Sequence, residues 1–504
     1  MKKIFVDPLF LIGLTVRIVM IFWMAPLAVT HWYAPFLDIS IAALTLDPWS
    51  SWIASGGSPI AFPYGYAMWC IFLPLTLFAK FTGLPLLYAY YLTLLAVDFF
   101  LLLALDRLLP ERKHLLLLLY WLSPISILAS YGLGLNDLVP ALLLCLSILF
   151  VRQVNLRLAG ALIATAISAK LSMVLALPFF VIYMVNNRAL RQLLPQFLIG
   201  FALASLVFFG GFLFSGAGIQ MLLGNPELEK IYQLKIDLSE KISIYVVPLI
   251  YFFIVYLAWR IRRTNSDLFQ ANIGIAFLFI PLITPASPGW FVWCLPFLVL
   301  YQAMSGRIAT LLVGLFSGVY VLSTLLVTPI EFANGHKLLL GDEFDAFGDL
   351  GSNAASLLHT TMVFLGLILV IRIWREAISR NDFFRLSRQP FVLGVAGDSG
   401  AGKDTFSDAI SDLFGRHSVV NLSGDDYHLW DRYKPMWQVM THLNPKANDL
   451  EMFYKDLVSL VDGRGAVSRR YDHKTGKMTK PRLINSNDFI IASGLHALHL
   501  PALR

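Results

Sequence analysis

A chain of 504 residues that is 57% hydrophobic and only 14% charged, with a mean hydropathy of +0.68, is too apolar for a soluble protein of this length. Its formal charge of +7 is gathered in short clusters between apolar runs, so the basicity is read as membrane topology and not as a nucleic-acid surface. Cys70, Cys145 and Cys294 are scattered through apolar segments with neither metal nor disulfide spacing.

Lys2 and Lys3 precede an apolar run from Pro8 to Val29 that is long for a signal peptide and lacks a small-x-small cleavage site. This predicts an uncleaved first span. Further runs of spanning length lie near residues 84–105, 115–131, 137–151, 194–214, 243–259, 268–284, 289–304, 307–329 and 356–374. Two more stretches, 63–82 and 157–185, are read from charge. If the first lies along the interface and the second crosses twice, broken near Lys170 and Pro178, the clusters Asp106–His114, Arg152–Arg157, Asn186–Arg191, Arg260–Arg263 and Arg372–Arg375 all fall inside. The expectation is a polytopic α-helical membrane domain over residues 1–375 with about 10–12 spans, in the inner (plasma) membrane, with both termini cytoplasmic. Arg17 stands inside the first span, where a charge costs about 2.5–3.5 kcal/mol on insertion scales, so it is expected to face a polar cavity or to reach the interface.

That topology puts 29–62, the turn Gly132–Asp137, 215–242 and the acidic loop 330–355 outside. The first stretch holds Asp38 and Asp47 close to a membrane face, followed by Phe62-Pro63-Tyr64-Gly65. Together with Leu135-Asn136-Asp137-Leu138, Ala169-Lys170 and Pro288-Gly289-Trp290-Phe291-Val292-Trp293, this pattern resembles the multi-span type C glycosyltransferases. The resemblance implies a polyprenyl-phosphate-linked sugar as donor, Asp38 or Asp47 as the base that takes a proton from the acceptor hydroxyl, and Lys170 near anionic groups. Read alone, Asp47-Pro48 is also an ordinary turn initiator, and Lys170 a snorkelling lysine.

Residues 376–389 mix basic and aromatic side chains, as a linker on the inner membrane surface does. From 390 to 504 strand and helix alternate: strand 391–395, helix 403–414, strand 418–422, helix 450–461, strand 488–492, with a hairpin in Val467–Pro481 around Lys474-Thr475-Gly476. This is an α/β pattern with a parallel sheet on the cytoplasmic side. Gly397-Asp398-Ser399-Gly400-Ala401-Gly402-Lys403-Asp404-Thr405 falls at the first strand-to-helix turn, the context of a phosphate-binding loop for ATP, with Lys403 reaching the β- and γ-phosphates.

The loop, with Ser423-Gly424-Asp425-Asp426-Tyr427-His428, Asn444–Asp449, Arg470-Tyr471-Asp472-His473-Lys474-Thr475-Gly476 and Ile491–Leu498, resembles the phosphoribulokinase and uridine kinase family of P-loop kinases. The resemblance implies a kinase with a sugar, nucleoside or sugar-phosphate acceptor. Asp425 would be the base, with Asp426 as the neighbouring alternative; His428 and Arg432 would hold a sugar phosphate, and Tyr471 and His473 would line the acceptor site. Two positions depart from the family. Asp404 replaces the Ser or Thr that binds Mg²⁺, and Ser493 replaces a Glu; either the carboxylate has moved to the loop, leaving Asp404 and Ser493 as the metal site, or nucleotide binding has weakened. The family also continues past Leu498, so the domain reads as truncated. A transporter or flippase, or a scaffold with a nucleotide-sensing domain, is the alternative to a two-activity enzyme.

Overall fold

The computed structural model describes residues 5–42, 45–109, 112–261, 264–327, 351–381, 390–415 and 418–503; most of the acidic loop 330–355 and of the linker 376–389 lies outside them. Two units emerge, residues 1–381 and 382–504.

The first unit is helical. Its principal helices are α1 (Pro8–Trp23), α2 (Leu86–Leu108), α3 (Leu138–Arg152), α4 (Leu156–Ala169), α5 (Leu194–Gly210), α6 (Val246–Arg260), α7 (Ser266–Ile283), α8 (Phe291–Ser305), α9 (Arg307–Val327) and α10 (Ser352–Ser379). Ahead of α6 a small antiparallel hairpin pairs β1 (Lys235–Ser239) with β2 (Ile242–Tyr245). Among the described residues five helical segments are long and apolar enough to cross a membrane: α2, α5 with its continuation to Phe214, α7, α9 and α10. Counting the bent pairs Pro8–Trp23 with Ala28–Ala42 and Lys113–Trp121 with Pro124–Gly132 raises the number to seven. The sequence led us to expect more. Several apolar runs instead form helices of 15 residues or fewer, such as α3, α4, α6 and α8, shorter than the roughly 20 residues a straight span needs.

The stretch 157–185 does break at Lys170, whose extended backbone (φ −152°, ψ 119°) ends α4 before a 3₁₀ turn and the helix Leu177–Asn186. The last helix differs from expectation. It runs to Ser379, beyond the expected end near 374, because Glu376 is held by Arg372 and Arg380 one turn to either side, at 3.2 and 3.3 Å.

Arg17 is instead buried and paired within the helical unit. Its Nε meets Asp98 Oδ2 at 2.7 Å, both side chains are fully buried, and its Nη1 donates to the carbonyls of Trp121 (2.6 Å) and Gly13 (3.1 Å). The Tyr120 and Tyr131 hydroxyls donate to the same carboxylate at 2.5 and 3.0 Å, and the guanidinium lies 3.8 Å over the Trp121 ring. Asp98→Ala would leave a buried cation unpaired, and a loss of about 3–5 kcal/mol is expected. Thermal unfolding of the purified protein measures it, and the double variant Arg17→Leu/Asp98→Leu is expected to recover part of the loss.

In the second unit, β3 (Phe391–Ala396), β9 (Phe489–Gly494) and β4 (Val419–Ser423) form a parallel sheet in the order β3-β9-β4, with Ser493 level with Val395 and Ser423. The helices α11 (Lys403–Phe414) and α12 (Leu450–Val461) follow the pattern expected. The predicted hairpin is double: β5 (Ala466–Ser468) pairs with β8 (Arg482–Ile484), and β6 (Tyr471–Asp472) with β7 (Lys477–Met478). Leu422, Phe453, Leu457, Leu460, Ile490 and Ala492 form the core between the sheet and α12.

Candidate functional site

Between β3 and α11 the chain turns through Gly400 and Gly402 at φ +79° and +81°, a backbone that L side chains rarely adopt. This turn opens the first amides of α11 toward a cleft of about 530 Å³. Lys403 is folded across the loop, its Nζ donating to the Asp398 carbonyl at 2.7 Å. The same cleft is lined by Asp425, His428, Arg432, Tyr471, His473 and His496. Thus the loop and the predicted acceptor residues, more than 20 positions apart in sequence, share one cavity.

Asp425 and its neighbour part ways. Asp425 sits in the 3₁₀ turn that ends β4, with Oδ2 3.3 Å from His473 Nε2 and Oδ1 3.9 Å from His428 Nε2. Asp426 turns inward and accepts the Tyr471 backbone N–H at 2.7 Å, and burial raises its carboxyl pKa. Asp425 faces the cleft, while Asp426 ties the turn to β6.

His428 has a defined tautomer. The Asn448 Nδ2 donates to two carbonyls, of His442 and Asn444, at 3.0 and 2.9 Å, so its Oδ1 must accept from His428 Nδ1 at 2.6 Å. The proton is on Nδ1, and Nε2 is a bare acceptor turned toward Asp425. Burial drives this imidazole pKa down to about 4, the Asn448 bond opposing. A neutral acceptor suits a hydroxyl donor better than a phosphate, which departs from the role that the sequence resemblance implied for it. The folded-state pKa lies below the ordinary 6.5, so the stability it contributes is complete above about pH 6.5 and is lost as pH falls toward 4. Burial lowers the pKa of His442 and His496 as well, in the same direction. The thermal transition of this unit is expected to drop across that window, and to drop less in His428→Gln.

Among the described residues lining the cleft, Arg432 Nε and the Tyr471 hydroxyl are buried without a hydrogen-bond partner. Such atoms are costly unless a ligand or water meets them. Sequence reading missed His442, whose ring stacks on His428 at 3.6 Å, and gave His496 no role although Leu495-His496-Ala497 lay in a motif already noted.

For Mg²⁺ the picture is divided. Asp404, in the first turn of α11, lines the cleft beside Lys403, and one or two carboxylates with phosphate oxygens are the usual Mg²⁺ ligands. Ser493 is buried in the central strand, and among the described residues no three His, Cys, Asp or Glu side chains gather as a preformed metal site.

The helical unit holds a second constellation. Asp137 Oδ1 receives Lys170 Nζ at 2.5 Å and Trp293 Nε1 at 2.6 Å, and a Cβ at Gly289 would come within 2.2 Å of Oδ2. Gly65 N donates to the Ser168 carbonyl at 2.8 Å, and Lys170 Nζ lies 5.7 Å from the Tyr64 ring centroid. Four stretches singled out from sequence therefore meet. Beside them Asn136 is fully buried. The predicted bases are held differently from each other. Asp47 caps the helix Pro48–Ala54, accepting from Ser50 N (3.1 Å), Ser50 Oγ (2.6 Å) and Ser215 Oγ (2.6 Å), while Asp38 is exposed on the helix Ala34–Ala42.

Residues 392–504 match the family described as "Phosphoribulokinase / Uridine kinase family". The phosphoribulokinase of Synechocystis sp. is 36% identical over 108 residues, which is 21% of this chain and 32% of that protein. The chloroplastic phosphoribulokinase of Arabidopsis thaliana is 30% identical over 135 residues, 23% of this chain and 34% of that protein. The uridine kinase of Ligilactobacillus salivarius is 31% identical over 119 residues, 23% of this chain and 56% of that protein. The chain thus spans about a third of the length of these phosphoribulokinases.

Proposed function

We propose that the segment 390–504 is an ATP-dependent kinase domain that phosphorylates a hydroxyl of a small anionic acceptor, a sugar phosphate in preference to a nucleoside. The observation that carries this is the single cleft lined by a phosphate loop with Lys403, by Asp425, and by Arg432 and Tyr471, whose Nε and hydroxyl have no hydrogen-bond partner. Loop amides and Lys403 hold the triphosphate. Asp425 takes the acceptor's proton as its oxygen bonds to the γ-phosphorus and the bond to ADP breaks. His428 Nε2 accepts from a neighbouring hydroxyl, and Arg432 holds the acceptor's anionic group. Asp404 would hold Mg²⁺, which supplies charge neutralisation on the phosphates when bound. The purified chain with γ-labelled ATP and a panel of pentose phosphates and nucleosides tests the reading: label on a pentose phosphate is expected, and label on no member of the panel contradicts it. An Asp404→Ala variant with undiminished Mg²⁺-dependent activity would remove Asp404 from the metal site.

Residues 1–375 are proposed to form a polytopic domain of the inner membrane, joined through 376–389 to the kinase on the cytoplasmic face. The meeting of Asp137, Lys170 and Trp293 with the Phe62–Gly65 run supports a type C glycosyltransferase-like reaction centre that uses a polyprenyl-phosphate sugar. A transporter is the second reading. Sugar transfer from such a donor, lost in Lys170→Ala, favours the enzyme; Asp38→Ala and Asp47→Ala decide which carboxylate is the base.

A further inference from the structure

The β1–β2 hairpin is amphipathic, and its apolar residues are exposed. Ile236 pairs with Ile244, and Ile242 follows on the same face by the two-residue period of a strand, while Leu238 stands where the register shifts between Asp237 and Ser239. All four side chains are exposed, Leu238 and Ile242 at 63% and 61%. The other face is polar and already satisfied: Lys235 Nζ lies 3.1 Å from Asp237, which also accepts from Ser243 Oγ at 2.5 Å. Hydrophobic residues so arranged need a cover, and the hairpin's own fold provides none.

Three observations identify the cover. The chain passes from Tyr245 directly into α6, whose Leu249, Phe252, Phe253 and Tyr256 are exposed, so the apolar surface of the hairpin continues into that of an apolar helix. At the junction the half-exposed Tyr232 and Tyr245 pack edge to face at 5.0 Å, an aromatic pair of the kind found at a bilayer boundary. The hairpin's charges, Lys235, Asp237, Glu240 and Lys241, cancel, which suits apolar insertion and not electrostatic docking.

We propose that the β1–β2 hairpin lays its Ile236, Ile242 and Ile244 face, with Leu238 at the adjoining bulge, into the interfacial layer of the lipid leaflet beside α6. The proposal rests on the membrane reading of this unit. The open strand edges keep it shallow, because unpaired backbone groups are not tolerated in the hydrocarbon core. Lys230, Gln233 and Leu234, which lead into β1, also line a largely apolar cavity of about 680 Å³ together with Pro288, Tyr320 and His359. A hairpin seated in the leaflet therefore holds one wall of that cavity at the lipid surface.

The test places an environment-sensitive fluorophore on Leu238→Cys, Ser243→Cys or Leu249→Cys, each in a Cys70→Ser background, in the full chain reconstituted into phosphatidylcholine vesicles carrying spin-labelled lipid. Residue 238 is expected to be quenched several-fold more than residue 243, more by labels near the head group than by labels near the chain end. Replacing part of the phosphatidylcholine with phosphatidylglycerol is expected to change nothing. Quenching at 249 with residues 238 and 243 alike overturns the proposal and leaves the membrane reading intact; no quenching at 249 or 238 overturns both.

Discussion

Lys403→Ala is expected to abolish nucleotide turnover, lowering Mg²⁺-dependent ATP hydrolysis by the full chain about 100- to 1,000-fold, the effect of removing one preorganised donor from a charged transition state. The lysine is not committed to the fold. Among the described residues its ammonium donates to the Asp398 carbonyl of its own loop, a bond readily exchanged for phosphate oxygens. The thermal transition should therefore stay close to that of the wild type while hydrolysis is lost. Equal loss of both would assign Lys403 a structural role and leave the cleft without a phosphate clamp.

The second large effect separates two adjacent carboxylates. Asp425→Asn is expected to reduce phosphoryl transfer about 100- to 10,000-fold, the range for removing a general base, with ATP affinity unchanged because Asp425 faces the acceptor side. Asp426→Asn is expected to act on stability. Its carboxylate anchors the Tyr471 amide, and weakening a buried bond of that kind costs about 1–3 kcal/mol. Steady-state kinetics with the acceptor found in the panel, set beside thermal unfolding, distinguishes the two. A larger kinetic loss in the Asp426 variant would reverse the assignment.

The order of strand, loop and helix around Gly397–Thr405 was readable because each step leaves a local mark: an apolar strand, glycines that permit positive φ, then an amphipathic helix. The double hairpin at 466–484 was half readable, since Lys474-Thr475-Gly476 signals the inner turn while the outer pairing of β5 with β8 is not local. That β9 lies between β3 and β4 is a matter of tertiary packing, and no window of sequence carries it. The Arg17–Asp98 pair spans 81 positions. Its signal was present all the same, as one carboxylate within the apolar run 84–105 and one cation within 8–28, and buried charges seek each other. Asp47-Pro48 was noted as a turn, and the structure makes it a helix cap with proline in the first turn, the same preference carried one step further. The tautomer of His428 was beyond sequence, because it is fixed by which carbonyls the Asn448 amide reaches.

Equilibrium binding of labelled ATP to the full chain in lipid nanodiscs, with and without Mg²⁺, tests the central claim that the loop between β3 and α11 grips a triphosphate. Saturable, Mg²⁺-dependent binding that Lys403→Ala removes is the predicted result. Absence of saturable binding by the folded wild-type chain, or binding that Lys403→Ala leaves untouched, would contradict it.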